Sequence, residues 1–245
     1  MSSTAHSRRR AIRSPLSSRR ETRDRLIDAA GAVFAEHGFR GATMRQIAVR
    51  SGANLAAAHY HFGSKQDLYR EVVRVHFERL ERRLAQSGRI DAAEMAQLSR
   101  EQLVGLLRAR VHAMLESFLD PESVHATLMQ RELADPSDTL PLIVRRWIDP
   151  LRLDLGHLLQ RLSPRLPEDR IQLCARSLMG QVIFYFTHRP ALLLMMRRRA
   201  YPLDFVEQIS DHVVAFTLGG LDAVADASIS PPTRPRKPRP QEPKP

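Results

Sequence analysis

Apolar residues along this chain recur at spacings of three and four, with no period-two alternation worth naming, and that pattern predicts helices throughout. Leu26, Ala29, Ala30, Val33 and Phe34 form one stripe between Thr22 and about His37, where Gly38 stops it. Met44, Ile47 and Ala48 form a second, shorter stripe between Thr43 and Ser51. Gly52 follows, and Ala53 to Ser64 (ANLAAAHYHFGS) reads as another short helix capped by Asn54. Ser64 caps the next helix with Asp67 as partner; Leu68, Val72, Val73, His76, Phe77, Leu80 and Leu84 run along it, and Ser87-Gly88 ends it. From about Ala93 five more helices are expected, at about 97–118, 122–134, 138–162, 168–187 and 204–226. The breaks between them fall at Asp120-Pro121, Asp135-Pro136, Ser163-Pro164, Pro167, Arg189-Pro190 and Tyr201-Pro202. Pro150 falls inside the helix that carries Trp147 and predicts a kink there. The expected fold is all-α, with about nine helices.

Two short helices joined by a glycine turn make a helix-turn-helix, and the second, small-residue-rich helix is shaped to enter the major groove of DNA. Its exposed face is expected to carry Asn54, Ala57, Ala58 and His59. Thr43, at a helix N-terminus, can offer hydroxyl and backbone N–H to a phosphate; Tyr60 and Lys65 can clamp further phosphates; Arg45 and Asn54 suit base edges or backbone. His59 and His61 are two apart on a helix, point away from each other and have no carboxylate or cysteine at ligand spacing, so no metal site and no cofactor are predicted.

The run from Arg23 to Val72 resembles the N-terminal domain of TetR-family transcriptional regulators in its Ala/Phe-rich first helix, Gly38-Phe39, Thr43, Ile47-Ala48, Ser51-Gly52, Tyr60-His61-Phe62, Lys65 and Leu68. Ala53 stands where the family usually has Val, and His59 where it often has Tyr. The segment Arg131–Pro136 (RELADP), followed by the helix with Trp147, is similar to one TetR subfamily. The resemblance implies a three-helix DNA-binding domain and a larger helical ligand-binding and dimerisation domain. It also assigns Thr43, Tyr60, His61 and Lys65 to the DNA backbone, and a four-helix dimer interface to the two C-terminal helices.

Charge changes the picture only at the ends. The net charge is +11, yet residues 1–20 hold six Arg and no acid, residues 231–245 hold five basic residues and one acid, and residues 21–230 carry only +1. Seven prolines in the last fifteen residues prevent packing there. The predicted organisation is a disordered basic arm (1–20), a DNA-binding domain (21–65), a helical body (66–227) and a disordered basic tail (228–245). Basic arms of this kind bind phosphates without reading sequence, so a non-specific architectural DNA binder is the alternative reading. The first twenty residues have no apolar core of a secretory signal, no apolar run approaches a membrane span, and the single Cys174 excludes an internal disulfide. A cytoplasmic, nucleoid-associated protein is expected.

In the body, Met114, Phe118, His125, Met129, Trp147, Tyr185 and His188 are candidates to line a cavity for a small apolar or amphipathic effector, with internal core as the alternative for each. Leu178 and Val182, with Ile209, Val213, Phe216 and Gly220, are candidates for a homodimer interface. The chain contains no G-x-S-x-G, no H-E-x-x-H and no phosphate-binding glycine loop, so an enzyme is not expected. The sequence reading is a sequence-specific DNA-binding regulator, most simply a repressor released from a palindromic operator by a small molecule.

Overall fold

A computed structural model of the chain describes residues 15–86, 92–120 and 123–226. The arm before residue 15, the tail from residue 227 and the Ser87-Gly88 break lie outside the described residues. Among those described there are helices and no strands: α1 (Pro15–Gly41), α2 (Met44–Ser51), α3 (Leu55–Phe62), α4 (Lys65–Gln86), α5 (Ala92–Gln97), α6 (Arg100–Leu119) and α7 (Val124–Ala134). After these come α8 (Leu140–Ile143), a π-helical turn (Val144–Ile148), α9 (Asp149–Leu162), α10 (Glu168–Thr187), α11 (Arg189–Met195) and α12 (Phe205–Asp226). No helix among the described residues is long and apolar enough to cross a membrane.

Local chemistry sets the boundaries. Gly38 (φ 70°, ψ 174°) leaves the α-helical region and ends the main run of α1, as its position after His37 predicts. Gly52 (φ 67°) takes the left-handed conformation that closes α2, and its N–H reaches the carbonyls of Ala48 and Val49. Ser64 accepts from the Asp67 N–H (3.1 Å) and donates to its carboxylate (2.5 Å), starting α4.

Four boundaries differ from expectation. Helix α1 begins at Pro15 rather than Thr22, so the last six residues of the predicted arm are helical; proline suits a first helical turn, where its missing N–H has no partner to lose. Ser99 starts α6 with a reciprocal capping box to Gln102, which splits the expected 97–118 helix from the short α5. Pro190 sits in the first turn of α11, in a stretch expected only to be a break. Pro150 resolves its conflict through a π turn. It has no N–H and its ring excludes the carbonyl four residues back, and the chain widens into the π turn just before it, with the Asp149 N–H bonded to the Val144 carbonyl.

Two apolar clusters result. The first joins Leu26, Val33 and Phe34 of α1 to Ile47 and Ala48 of α2, Ala58 of α3, and Leu68, Tyr69, Val72 and Phe77 of α4. It also takes in Leu128 and Met129 of α7 and Ile143 of α8, so the predicted division at residue 65 marks the start of α4 rather than a gap in the packing. The second joins α5, α6, α9, α10 and α12 through residues such as Leu107, Leu115, Leu158, Leu178 and Val213. Cys174 packs at its edge, and partial burial raises its thiol pKa, which suits a structural residue rather than a reactive one.

Helices α1 and α4 cross closely at Gly31. A Cβ there would lie 2.7 Å from Nε2 of His76, a buried imidazole whose Nε2 has no partner among the described residues. Burial, reinforced by nearby Arg79 and opposed by Asp28, pushes the His76 pKa from 6.5 down to about 4. The native state therefore holds His76 neutral where the unfolded chain would protonate it. Its contribution to stability is whole above pH 6.5 and is lost as pH falls towards 4. Glu71, pulled down to about 2 chiefly by Arg74, acts only in the lower window between 4.5 and 2. We expect urea denaturation to show a loss of about 2–3 kcal/mol between pH 7 and pH 4 in the wild type, and a clearly smaller loss in His76→Gln.

Candidate nucleic-acid interface and internal cavity

Helices α1, α2 and α3 form a compact module whose outer surface is the exposed face of α3 and the N-terminus of α2. Asn54, Leu55, Ala56, His59 and Tyr60 face outward; Ala57 is half-buried, and Ala58, expected on the open face, is fully buried against the module core. One step along a short helix decides that assignment, and the apolar packing of α3 takes Ala58.

The predicted DNA-contacting side chains are more committed than their chemistry alone suggests. Thr43 spends both its groups internally: its N–H and hydroxyl donate to Gln46 Oε1 (2.9 and 2.8 Å), and its oxygen accepts from the Gln46 N–H (3.2 Å). The open donors at this end of α2 are instead the backbone N–H groups of Met44 and Arg45. Asn54 caps α3 through Oδ1, which accepts from the Ala57 N–H at 2.7 Å, and its amide NH2 remains available. His59 Nδ1 donates to the Gly63 carbonyl at 2.8 Å, which leaves Nε2 as its other ring nitrogen. Lys65 donates to the carbonyls of Ala42 (3.0 Å) and Arg40 (3.4 Å) above the Phe39 ring, bracing the α1–α2 junction.

Other positions stay available. Arg45 is exposed and has no hydrogen-bond or ion-pair partner among the described residues. Tyr60 is 67% exposed, and its hydroxyl accepts from Arg19, whose guanidinium also lies 4.7 Å from the ring centroid. His61, beside Tyr60, has its pKa lowered chiefly by burial and further by Arg19 and Arg23, so it adds no charge near neutral pH. Arg19 and the exposed Leu55 escaped the sequence reading. Arg19 sat in the presumed arm, and Pro15 at a helix start was the only signal that the helix reaches it.

The body holds a cavity of about 230 Å³ between α4, α6, α7, the π turn, α9 and α10. Met114, Phe118, Met129 and Trp147 line it as expected. His125, Tyr185 and His188 do not. His125 is buried between Phe77 and Phe118 beside the Ser123 hydroxyl, Tyr185 packs on Phe205 and accepts from Tyr201 at its carbonyl, and His188 stacks on Phe184 at the surface. Polar wall residues that sequence periodicity did not single out are Glu81, Arg110, Arg146 and Asp154.

Helix α7 belongs to both regions. Met129 and Leu133 stand in the cavity wall, while Arg131 between them donates to the carbonyls of Ala35 (2.7 Å) and Glu36 (2.6 Å) in the last turn of the main run of α1. Glu132, 1% exposed, accepts from the Tyr69 hydroxyl at 2.6 Å and from the Ser137 hydroxyl and N–H at 2.7 and 3.1 Å.

The proposed dimer residues divide. Leu178, Val182, Ile209 and Val213 are at most 4% exposed and pack inside the protomer, whereas Phe216 is 63% exposed and Gly220 half-buried. Spacings of three and four mark an apolar face without saying which way it turns. The outward apolar positions of α10 and α12 are Leu173, Gly180 and Phe184, and Phe216 and Gly219. No group of three or more His, Cys, Asp and Glu that would hold a metal occurs among the described residues.

Comparison with known proteins agrees with this layout. The family model described as "Bacterial regulatory proteins, tetR family" matches residues 26–72, and that described as "HTH-type transcriptional dual regulator CecR, C-terminal domain" matches residues 99–221. The dual regulator CecR of Shigella flexneri is 30% identical over 206 residues, 79% of this chain and 88% of CecR. The regulator BetI of Agrobacterium fabrum is 32% identical over 186 residues, 76% of this chain and 86% of BetI. A TetR-like regulator from Rhodococcus sp. RHA1 shares the fold with a TM-score of 0.63 at 20% identity, over 86% of this chain and 99% of that one. AibR, solved with isovaleryl coenzyme A and operator DNA, shares it with a TM-score of 0.59 at 15% identity, over 80% and 97% of the two chains.

The Thr43–Gln46 box generates a direct expectation. Thr43→Ala and Gln46→Ala should each lower unfolding free energy by about 1 kcal/mol. The double variant should cost clearly less than their sum, because both remove one reciprocal unit; urea denaturation of the three variants measures this.

Proposed function

Because this chain belongs to the TetR family of bacterial regulatory proteins and is a DNA-binding transcriptional regulator, we propose that it is a repressor that holds a palindromic operator as a homodimer and releases it when a small molecule fills the cavity. The observation that carries the ligand-responsive part is the double attachment of α7, with Met129 and Leu133 in the cavity wall, Arg131 on the end of α1 and Glu132 on α4, the helix that follows the DNA-binding module. A ligand that displaces α7 changes the grip on α1 and α4, and with it the position of α3. For this to act as a switch, the ligand must favour the released state; a differential of about 3 kcal/mol changes operator affinity more than a hundredfold. AibR, which shares this fold, holds both an acyl coenzyme A and operator DNA.

On the DNA side, the N-terminal N–H groups of α2, Arg45 and the Arg19–Tyr60 pair take phosphates, while Leu55, Ala56, Ala57 and His59 approach the base edges. Thr43 and Lys65 serve indirectly, by setting the start of α2 and the junction beneath it. One helix-turn-helix covers too few base pairs to be selective, and the outward apolar residues of α10 and α12 supply a second copy's docking face. The protein acts in the cytoplasm, on chromosomal DNA.

Selection from random duplex DNA at about 150 mM salt should recover one palindrome with two short half-sites. Enrichment of no sequence contradicts the proposal. With that duplex, Arg45→Ala should bind about tenfold or more weakly, a loss of about 1.4 kcal/mol or more, with unchanged helix content by circular dichroism.

A further inference from the structure

Helix α1 extends well past the core of the DNA-binding module. Leu26, Val33 and Phe34 are buried in that core, but the helix starts at Pro15 and carries Arg19 out to α3. There the Arg19 guanidinium donates to the Tyr60 hydroxyl and lies 4.7 Å from its ring centroid. One turn further on, Arg23 lies 5.6 Å from the Phe62 ring centroid and pairs with Glu71 of α4. The first turns of α1 are thereby fixed against the C-terminal half of α3, where Tyr60 stands on the open face. From Arg19 back to Pro15 is about 6 Å of helix. The chain before Pro15 therefore departs beside Tyr60, at the DNA-facing edge of the module.

Resting on the DNA-binding reading above, we propose that residues 1–14 run along the minor groove next to the half-site held by α3, where Arg8, Arg9, Arg10 and Arg13 favour A·T pairs.

Charge supplies the driving force. These residues hold four Arg and no acid, whereas residues 21–230 sum to only +1, so the body as a whole offers no net negative charge to hold them. A DNA duplex carries one negative charge for about every 1.7 Å of its axis. Reach is sufficient as well. Arg13 to Arg8 precede Pro15 by two to seven residues, which spans up to about 25 Å of extended chain. With α3 in the major groove and Tyr60 at the strand that walls it, the minor groove opens immediately across that strand.

The choice of groove follows from shape and field. The minor groove is only about 6 Å wide, so a cation in it lies near the phosphates of both strands rather than one. The segment MSSTAHSRRRAIRS has no Phe, Tyr or Trp to obstruct entry. Runs of A·T pairs narrow the groove and strengthen its negative potential, and they lack the guanine amino group that projects into it. Guanidinium groups placed there read A·T against G·C, a preference separate from what α3 reads in the major groove.

The test compares the full chain with its R8A/R9A/R10A/R13A variant on the operator duplex obtained by selection. Hydroxyl radicals attack the sugars from the minor groove, and they should reveal a protected stretch beside each half-site with the wild type and not with the variant. The pairs in that stretch are then made all A·T, all G·C or all inosine·C; inosine lacks the guanine amino group, so its pair resembles A·T in the minor groove and G·C in the major. The wild type should bind the A·T and inosine·C duplexes alike and the G·C duplex at least about fivefold more weakly. The variant should bind all three alike, about tenfold or more weakly than the wild type binds A·T at about 150 mM salt, with a log–log salt slope shallower by at least about 1. It should still prefer its half-sites to an unrelated duplex. An unchanged footprint and affinity in the variant, or a wild type that treats G·C and inosine·C alike, would overturn the proposal while leaving recognition by α3 intact. If selection yields no operator, the regulator reading itself fails, and the inference falls with it.

Discussion

The guanidinium of Arg131 does for α1 what a helix cannot do for itself. The last carbonyls of an α-helix have no intrahelical donors, and the main run of α1 ends at Gly38, where the positive φ turns the chain away. Arg131 reaches across from α7 and donates to two of those carbonyls, at 2.7 and 2.6 Å. The next residue, Glu132, is buried and accepts the hydroxyl of Tyr69 on α4. Burial and this carboxylate together raise the Tyr69 pKa far above its ordinary value, so the phenol stays protonated and remains a donor. Removing a partner from a buried, fully used carboxylate such as Glu132 costs several kcal/mol. The DNA-binding module is held on the body by these two consecutive residues together with the apolar packing of Leu128, Met129 and Ile143 against α1 and α4. Surface pairs such as Arg40–Asp135, both mostly exposed, add little.

The same helix turn faces the cavity through Met129 and Leu133, and the cavity itself owes its shape to a local conflict. Pro150 cannot continue a regular helix from Ile143, and the chain answers with a π turn that pushes Trp147 and Arg146 into positions a straight helix would not give them. Wide turns of this kind are commonly found at functional sites, and here the turn forms part of a cavity wall. A switch needs a region held firmly enough to transmit a change and loosely enough to have two arrangements. The Arg131–Glu132 attachment supplies the first property, and the methionine-rich cavity the second.

Much of this was legible in the amino-acid order. The stripes over α1, α2 and α4, the glycine stops at Gly38 and Gly52, and the caps at Thr43, Asn54 and Ser64 depend on neighbours within a few residues, and they stand where local chemistry places them. What was not legible depends on the partner a face meets. Leu178 and Val213 have the same spacing whether they turn inward or outward, and only packing against α6 and α9 makes them core. Thr43 has the right groups for a phosphate, but Gln46 three residues on was the signal that they are already used. The Arg110–Asp154 pair joins residues 44 positions apart, and no periodicity marks it. Arg131 bonds carbonyls about a hundred residues back in the chain and Glu132 a hydroxyl about sixty residues back, and no local pattern marks either contact.

The central claim is that the cavity and the DNA-binding surface are linked through α7, and linkage between two sites is reciprocal. Trp147 stands in the cavity wall as the chain's only tryptophan, so its emission reports that wall without any added probe. Titrating the unliganded protein with its selected operator duplex, exciting at a wavelength where DNA does not absorb, tests the link directly. The account predicts a saturable shift of Trp147 emission that follows operator occupancy and is lost in Arg131→Ala at DNA concentrations that still saturate the variant. Emission that stays constant in the wild type through full operator binding would contradict it.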